Sequence, residues 1–249
     1  MSFQLRREDV VGSDEFGQML EQSPAKVAQA LLLAAGKGVV EAQALLGQIL
    51  LDGRGIEKDP ALARTWFGIA AQQGSAMAHN MLGRCLEHGW GGEADVSRAA
   101  LHYRHAANGG LDWGIYNLAN LLATGRGVAL DHELALACYR RAAQMGHAKS
   151  MNLLGRYLEE GLHCQVNVQA AREWYRRSAE GGDFRGQFSH AAVLAAQGEL
   201  EGALKWLQVA LEGGNANFLR VAGPALEQAV QPEIRAMAGA YKERLAELV

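Results

Sequence analysis

The sequence has few cysteines, no long apolar run and no large excess of charge of one sign. Its three cysteines, Cys85, Cys138 and Cys164, are odd in number and lack the short spacing of metal ligands, which argues against a disulfide framework or a zinc module. No stretch is apolar for long enough to form a signal-peptide core or a membrane span, so we expect a cytoplasmic protein without membrane contact. The formal net charge of −3 predicts no general attraction to nucleic acid.

Recognisable catalytic and cofactor motifs are also missing. The sequence has neither a G-x-S-x-G nucleophile motif nor an H-E-x-x-H metal motif. The glycine pairs Gly53/Gly55 and Gly125/Gly127 each follow a predicted helix and lack the third glycine and the preceding strand of a dinucleotide-binding loop, so we interpret them as turns. We therefore predict that the protein is not an enzyme and has no cofactor and no metal site.

A spacing of 36 residues recurs along most of the chain. One glycine column contains Gly53, Gly89, Gly125 and Gly161, and a second contains Gly38, Gly74, Gly110, Gly146 and Gly182. A leucine column contains Leu46, Leu82, Leu118 and Leu154, and the residue after each leucine is glycine or, once, alanine. Periods of this length are typical of proteins built from stacked pairs of helices.

Each period contains the signals of two helices. Apolar residues at helical spacing predict a helix A that ends before Gly53, and Asp59 followed by Pro60 is a typical start for a helix B. An apolar stripe in helix B then leads to Gly74, which suits the left-handed conformation that closes a helix. The stripe contains Ala63, Trp66, Phe67, Ala70 and Ala71, and its later counterparts keep the small residues and an aromatic ring at Tyr103, Tyr139 and Tyr175.

These signals predict an all-α solenoid of antiparallel helix pairs with three segments. Residues 1–23 are predicted to form a degenerate N-terminal helix that caps the array, and residues 219–249 to form C-terminal capping helices. Residues 24–218 are predicted to form the solenoid, whose last repeat is four residues shorter than the others. Its units lie near residues 24–40, 41–77, 78–113, 114–149, 150–186 and 187–218.

The repeat unit resembles a known family. The run L-G-x-x-L-x-x-G-x-G-[IV]-x-x-D, followed by A-x-x-[WC]-[FY]-x-x-A-A-x-x-G, is present at 46–74 and, apart from Ala119, at 118–146. It resembles the Sel-one-like repeat (SLR) family of the tetratricopeptide-repeat superfamily, over roughly residues 24–218. The resemblance implies a right-handed α-solenoid that serves as a scaffold or adaptor for protein complexes, often in bacterial regulatory or assembly pathways. Secreted members carry a disulfide in each repeat, whereas the cysteines here occupy different columns, so a secreted role is not implied.

The resemblance also indicates where a partner would bind. In tetratricopeptide-like solenoids helix A lines the concave face, and the matching columns here are polar and rich in amides. Asn can hydrogen-bond a peptide backbone, and Arg can hold a carboxylate through two parallel bonds. The candidate contacts are Asn80, Arg84, His88, Tyr116, Asn120, Asn152 and Arg156; the alternative interpretation is that these are ordinary solvated helix positions.

Two other features suggest different functions. Two adjacent outward columns of helix B hold Arg104, Arg140, Arg141, Arg176 and Arg177, which could form a basic ridge for an anion or nucleic acid. Glu173 and Glu180 lie nearby, so a solvated surface is the favoured interpretation. His102 with His105, and His163 with Cys164, could suggest metal ligands, but three or four convergent ligands are required, and packing explains His102 better.

The sequence therefore predicts a scaffold or adaptor that binds a protein or peptide partner through the concave helix A face. The alternatives are an accessory protein or enzyme with a small-molecule or metal site, and an anion-binding protein that uses the arginine ridge.

Overall fold

The computed structural model describes residues 23–249, and this part of the chain contains thirteen α-helices and no strand. The N-terminal cap predicted for residues 1–23 lies, apart from Ser23, outside the described residues. The helices belong to two compact units, one ending at Asp131 and one beginning at His132. The all-α class and the helix pairs predicted from the sequence are confirmed.

The first unit contains six helices in which B-type and A-type helices alternate. They are α1 (Pro24–Gly36), α2 (Val40–Asp52), α3 (Pro60–Gln72), α4 (Ala76–His88), α5 (Val96–Asn108) and α6 (Asp112–Thr124). Each helix packs against the next one in the chain, and the A-type helices α4 and α6 also contact each other directly. The A-type helices α4 and α6 therefore lie side by side in one layer.

The second unit contains seven helices. They are α7 (His132–Gln144), α8 (Ala148–Glu160), α9 (Val168–Glu180), α10 (Phe184–Ala196), α11 (Leu200–Gly213), α12 (Ala216–Glu227) and α13 (Pro232–Glu247). Residues 197–199 connect α10 to α11, whereas residues 161–167 connect α8 to α9. The A-type helices α8 and α10 contact each other as α4 and α6 do.

The predicted helix ends are made by the expected side chains. The carboxylates of Asp59 and Asp95 accept hydrogen bonds of 2.9 Å from the backbone N–H groups of Leu62 and Arg98, and Asn167 caps α9 in the same way. These bonds satisfy donors that a helix leaves free in its first turn. At the other end, Gly53, Gly89, Gly125 and Gly161 close the A-type helices with φ between 66° and 75°.

The glycine that follows the leucine of helix A lets an aromatic ring of helix B approach closely. A methyl group added at Gly83 would lie 2.7 Å from Cε1 of Tyr103, and one added at Gly155 would lie 2.6 Å from Cε1 of Tyr175. Both rings are buried. The Leu-Gly column is therefore a packing requirement of the helix pair.

The second glycine of each Gly-x-Gly turn holds successive repeats together. A side chain at Gly55 would collide with the carbonyl oxygen of Pro24, and Gly91 meets the first turn of α3 at Pro60 in the same way. His163 occupies this position in the second unit, with φ 54°, and its ring stacks on His132 at 4.4 Å between centroids. The glycine pairs are therefore turns, as predicted, and each turn covers the start of the preceding helix B.

Aromatic side chains fill the core at the end of the chain. The centroids of neighbouring rings lie 4.9 to 6.4 Å apart in a cluster of Phe184, Phe188, Phe218 and Tyr241. The buried hydroxyl of Tyr241 donates a 2.7 Å hydrogen bond to the carbonyl of Leu207. No helix within residues 23–249 is long and apolar enough to cross a membrane.

Candidate functional site

An amide pair joins the A-type helices of the first unit. The Nδ2 of Asn117 in α6 donates a 2.8 Å hydrogen bond to the Oδ1 of Asn80 in α4, and Asn80 is only 7 % exposed. The predicted contact residue Asn80 thus lies between two helices. Its bond fixes the separation of α4 and α6, because a buried amide without a partner would cost free energy.

A cationic and aromatic cluster lies at the end of α4. The guanidinium carbon of Arg84 is 5.0 Å from the centroid of the Trp90 ring, and the His88 ring is 4.9 Å from the same indole. Trp90 is half-buried and occupies the middle position of the Gly-x-Gly turn, while His88 is exposed. We call Arg84, His88 and Trp90 the Arg84 cluster. Cation–π contact of this kind holds both side chains in place at the surface.

Glu87 lies beside this cluster and is neutralised within the protein. Its Oε2 accepts a 2.7 Å hydrogen bond from the hydroxyl of Tyr103, and its Oε1 lies 3.1 Å from Nη1 of Arg126. The Glu87 side chain is 13 % exposed. The carboxylate therefore offers little charge to a ligand, and the positive charge of Arg84 remains the dominant feature of this end of α4.

Two further predicted contacts lie on α6. Tyr116 is half-buried and meets Trp113 edge to face, with 6.1 Å between the ring centroids. Asn120 is half-buried, and its backbone carbonyl accepts a hydrogen bond from the hydroxyl of Thr124. Asn120 occupies the position in α6 that Arg84 occupies in α4, so these residues lie on neighbouring helices of one layer.

The second unit repeats part of this arrangement. The Oδ1 of Asn152 in α8 accepts a 2.9 Å hydrogen bond from the hydroxyl of Ser189 in α10, at the same spacing of 37 residues as the bond between Asn80 and Asn117. Arg156 is exposed one turn further along α8. The hydroxyl of Tyr175 donates a 2.7 Å hydrogen bond to Glu159, as Tyr103 does to Glu87.

The arginine columns of helix B differ from a continuous basic ridge. In α9 the guanidinium of Arg176 forms 2.6 Å ion pairs with both Glu173 and Glu180, and the Arg177 guanidinium lies 4.4 Å from the Trp174 ring. The Arg176 guanidinium lowers the pKa of the Glu173 carboxyl through its hydrogen bonds. Arg104 in the first unit and Arg140 and Arg141 in the second are exposed. The charge of α9 is thus largely satisfied on its own helix.

Comparison with known proteins identifies the repeat. A profile of the family described as Sel1 repeat matches residues 40–75, 76–111, 114–147 and 148–183, which together make up more than half of the chain. The chain belongs to the Sel1 repeat family. Sel1 repeat proteins are generally scaffolds for protein interaction, and their fold is typically not enzymatic. Among curated proteins none matches the sequence.

Solved structures with the same fold come from bacteria. A Sel1 repeat protein from Oxalobacter formigenes is 25 % identical, with a TM-score of 0.76 over 94 % of this chain and 98 % of that chain. The protective antigen c5321 of uropathogenic Escherichia coli, which displays an SLR fold, is 28 % identical with a TM-score of 0.69. The match covers 93 % of this chain and 52 % of c5321. The immunity protein Pa5087 from Pseudomonas aeruginosa shares the fold at 14 % identity. Its TM-score is 0.54 over 84 % of this chain and 81 % of that chain.

The cysteines of these Sel1 repeats do not converge on a metal. Cys85, Cys138 and Cys164 form no disulfide, and Cys164 donates to the carbonyl of Tyr157. Burial raises the pKa of the Cys85 thiol to about 11, so this group stays protonated near neutral pH and is a poor ligand. Among residues 23–249 no three His, Cys, Asp or Glu side chains are arranged to hold a metal ion.

Sequence reasoning missed several residues with specific roles. It explained His102 by packing, whereas its Nδ1 lies 3.0 Å from Nδ1 of His79, whose ring also stacks on His105 at 4.8 Å. It also left Trp90 out of the candidate surface. The signal for Trp90 was its place inside the Gly-x-Gly turn, directly after the predicted contacts Arg84 and His88.

Proposed function

We propose that this chain is a scaffold or adaptor that holds a protein or peptide partner on the helix A face of its Sel1 repeats. The Arg84 cluster is the observation that carries this proposal. It combines a half-buried guanidinium, an exposed imidazole and a half-buried indole at the end of one helix, and Arg and Trp side chains contribute much of the binding energy of many interfaces.

The surface is held in place before a partner arrives. The bond between Asn117 and Asn80 fixes α4 against α6, and the contact with Trp90 restrains Arg84. A partner that binds such a surface meets side chains that have already lost much of their conformational freedom, which reduces the entropic cost of association. In this proposal Arg84, His88, Tyr116 and Asn120 make the contacts in the first unit, and Asn80 positions them.

A similar role is proposed for α8 in the second unit. Arg156 is exposed, and Asn152 is bonded to Ser189 on the neighbouring A-type helix. Arg156 would therefore contact the partner while Asn152 holds the two helices together. The hydroxyl of Tyr175 donates a hydrogen bond to the Glu159 carboxylate and orients it on the same helix.

The proposed setting is the cytoplasm of a bacterium, in a regulatory or assembly pathway. Cysteines that form no disulfide are usual for a reducing compartment, and the similar solved structures named above come from bacteria. Cell fractionation tests this setting: recovery of the protein with a cytoplasmic marker is expected, and recovery with a periplasmic marker or in the culture medium would refute the cytoplasmic assignment.

Capture from native lysate with matched surface variants tests the binding proposal. The helix A variant carries Arg84→Ala, Trp90→Ala and Arg156→Ala, and the control carries Arg104→Ala, Arg140→Ala and Arg141→Ala on exposed helix B positions. Both are compared with the wild type after circular dichroism and thermal melting have shown that they remain folded. The lysate is divided, and one half is treated with nuclease.

We expect a protein that the wild type and the control retain and the helix A variant loses, with an affinity at least roughly tenfold weaker for the purified partner. A partner lost only with the control variant, or removed by nuclease, would refute the helix A proposal and favour the arginine columns of helix B.

A further inference from the structure

A cavity of about 540 Å³ opens between two B-type helices of the first unit, and it shares no residue with the helix A surface described above. Residues of α3 and α5 form its walls, the A-type helix α4 forms its floor, and Gly91 lies at its end. Its volume falls in the range of cavities that bind small molecules. The lining residues are Ala61, Arg64, Thr65, Gly68, Ala71, Gln72, His79, Leu82, Gly91, Arg98 and His102.

A local departure from the repeat opens this cavity. Gly68 has no atom within 4 Å of the place where a side chain would start, so space is free above it. The equivalent positions in the next three repeats hold Arg104, Arg140 and Arg176. The first of these repeats therefore has a gap where the others carry a long side chain.

All four ionisable residues on the cavity wall are basic. Arg64 reaches in from α3, His79 from α4, and Arg98 and His102 from α5, and no Asp or Glu is among the lining residues. Nη1 of Arg64 also donates a hydrogen bond of 3.3 Å to the backbone carbonyl of Glu93, which ties this side chain to the loop beside the cavity. The wall therefore concentrates positive charge without a carboxylate to balance it.

The histidines show the same imbalance. The two Nδ1 atoms of His79 and His102 are 3.0 Å apart, so one ring must donate and the other accept, and both cannot be protonated at these atoms. Burial, followed by the charges of His79, His105 and Arg98, lowers the pKa of His102 to about 4. Burial and the charge of His105 also lower the pKa of His79. Because burial and neighbouring positive charges oppose protonation of these histidines, a bound anion would stabilise their protonated forms.

We infer that this cavity binds a dianionic oxyanion of the phosphate or sulfate type, either free or as the terminal group of a small ester. Arg64 and Arg98 would hold the oxygens by charge-assisted hydrogen bonds, and the histidines would donate to it when protonated. Gln72 supplies a neutral amide donor on the same wall. Bound metal is disfavoured here, because two guanidinium groups repel a cation.

Calorimetric titration of the full chain with sodium sulfate tests the inference. Sulfate stays a dianion over the useful pH range, so any pH dependence of its binding belongs to the protein. The variants are Arg98→Gln, which removes a lining charge, and Gly68→Leu, which fills the gap with an uncharged side chain. The matched control is Arg104→Gln, which removes an exposed charge from the same helix α5 outside the cavity wall.

We expect saturable binding of one sulfate by the wild type and by Arg104→Gln, and a loss of at least roughly tenfold in affinity for Arg98→Gln and Gly68→Leu. Affinity is expected to increase as the pH falls from about 7 to about 5, because the histidines of the free protein gain protons only in this range, and the pKa of His102 measured by NMR is expected to rise in saturating sulfate. Gly68→Leu provides a second variant if Arg98→Gln does not fold, because leucine favours the helix at this position.

Parallel titrations with inorganic phosphate and glycerol 3-phosphate at about pH 7 distinguish the two sources of the anion. Tighter binding of the ester identifies a small phosphate ester, and equal or weaker binding identifies the free ion. Absence of saturable sulfate binding to the wild type, or equal affinities of Arg98→Gln and Arg104→Gln, would overturn the inference and leave the proposal for helix A untouched.

Discussion

The hydroxyl of Tyr103 in α5 donates a 2.7 Å hydrogen bond to Oε2 of Glu87 in α4, and Tyr175 and Glu159 repeat this bond in the second unit. One repeat earlier, Phe67 occupies the position of Tyr103 and Leu51 occupies the position of Glu87. The repeat whose aromatic ring lacks a hydroxyl therefore has an apolar residue where the carboxylate would be. Each pair thus avoids a buried polar group without a partner. Burial and the Glu87 carboxylate both raise the pKa of the Tyr103 hydroxyl, which therefore remains a donor.

A double-mutant cycle tests this coupling. We expect Tyr103→Phe and Glu87→Leu each to lower the free energy of unfolding by about 1 to 2 kcal/mol, because each change breaks this hydrogen bond and Glu87→Leu also removes the ion pair with Arg126. The double variant restores the chemistry of the Phe67 and Leu51 positions and is expected to recover about 1 kcal/mol or more of the summed loss. Urea denaturation measures all four proteins, and simple additivity of the two losses would show that the bond contributes no coupling.

Replacing a closely packed glycine by alanine is expected to lower stability, whereas the same replacement at an open helical glycine is expected to raise it. Gly83→Ala is expected to destabilise the protein by about 1 to 3 kcal/mol, because the methyl group would lie 2.7 Å from the Tyr103 ring. Gly239 in α13 has no atom within 4 Å, and Gly239→Ala is expected to stabilise by about 0.5 to 1 kcal/mol. Thermal melting of both variants gives the two signs, and a neutral Gly83→Ala would mean that the ring can move aside.

The contact between the Gly-x-Gly turn and the preceding helix B can be tested separately from the cost of the left-handed backbone conformation. Gly55 and Gly74 both have positive φ, at 73° and 87°, but only Gly55 touches the preceding helix B. Gly74→Ala is expected to cost about 1 kcal/mol for the left-handed conformation alone. Gly55→Ala is expected to cost about 1 to 3 kcal/mol more, because its methyl group meets the Pro24 carbonyl. Equal losses in urea denaturation would show that the turn does not hold the repeats together.

The histidine cluster predicts a loss of stability in acid. The folded-state pKa of His102 is about 4, below its model-peptide value of 6.5, so the unfolded chain binds more protons between these values. Stability from this group is therefore present above about pH 6.5 and is lost as the pH falls toward about 4.

Melting temperatures between about pH 7 and pH 5, in buffer without multivalent anions, measure this effect. His102→Asn is expected to reduce the slope of melting temperature against pH, whereas His88→Asn, which replaces an exposed histidine of the same unit, serves as the control. An unchanged slope for His102→Asn would show that other groups account for the acid sensitivity.

The periodic features of the fold could be predicted from the sequence, because each repeat presents the same evidence again. The caps at Asp59 and Asp95 and the glycine helix ends depend on contacts within one helix or at its ends, and the buried columns of helix B follow the helical period of its apolar residues. Such contacts follow from residue spacing alone. A glycine or capping residue that recurs at the same position in several repeats can therefore be assigned a structural role from the sequence.

The individual sites could not be predicted in the same way, because they depend on departures from the repeat and on contacts between helices. The cavity at Gly68 arises from one missing side chain, and its histidines come from α4 and α5. Asn80 and Asn152 occupy columns expected to face a partner, yet each is bonded to a neighbouring helix. His163 adopts φ 54° at a glycine position; positive φ is uncommon for residues other than glycine, although His is enriched among the exceptions.

The turn that covers the preceding helix B also bears on how such a chain can evolve. Its contacts at Gly55 and Gly91 are made to backbone atoms, so they depend on the path of the chain and little on the side chains of the neighbouring repeat. A duplicated segment inserted among these repeats would find a compatible neighbour even after its sequence had diverged. The three-residue connection at 197–199 lacks this contact, since Gly198 has no atom within 4 Å. After Ala196 the helices pack through specific side chains such as Phe188, Phe218 and Tyr241, so divergence there changes the contacts themselves.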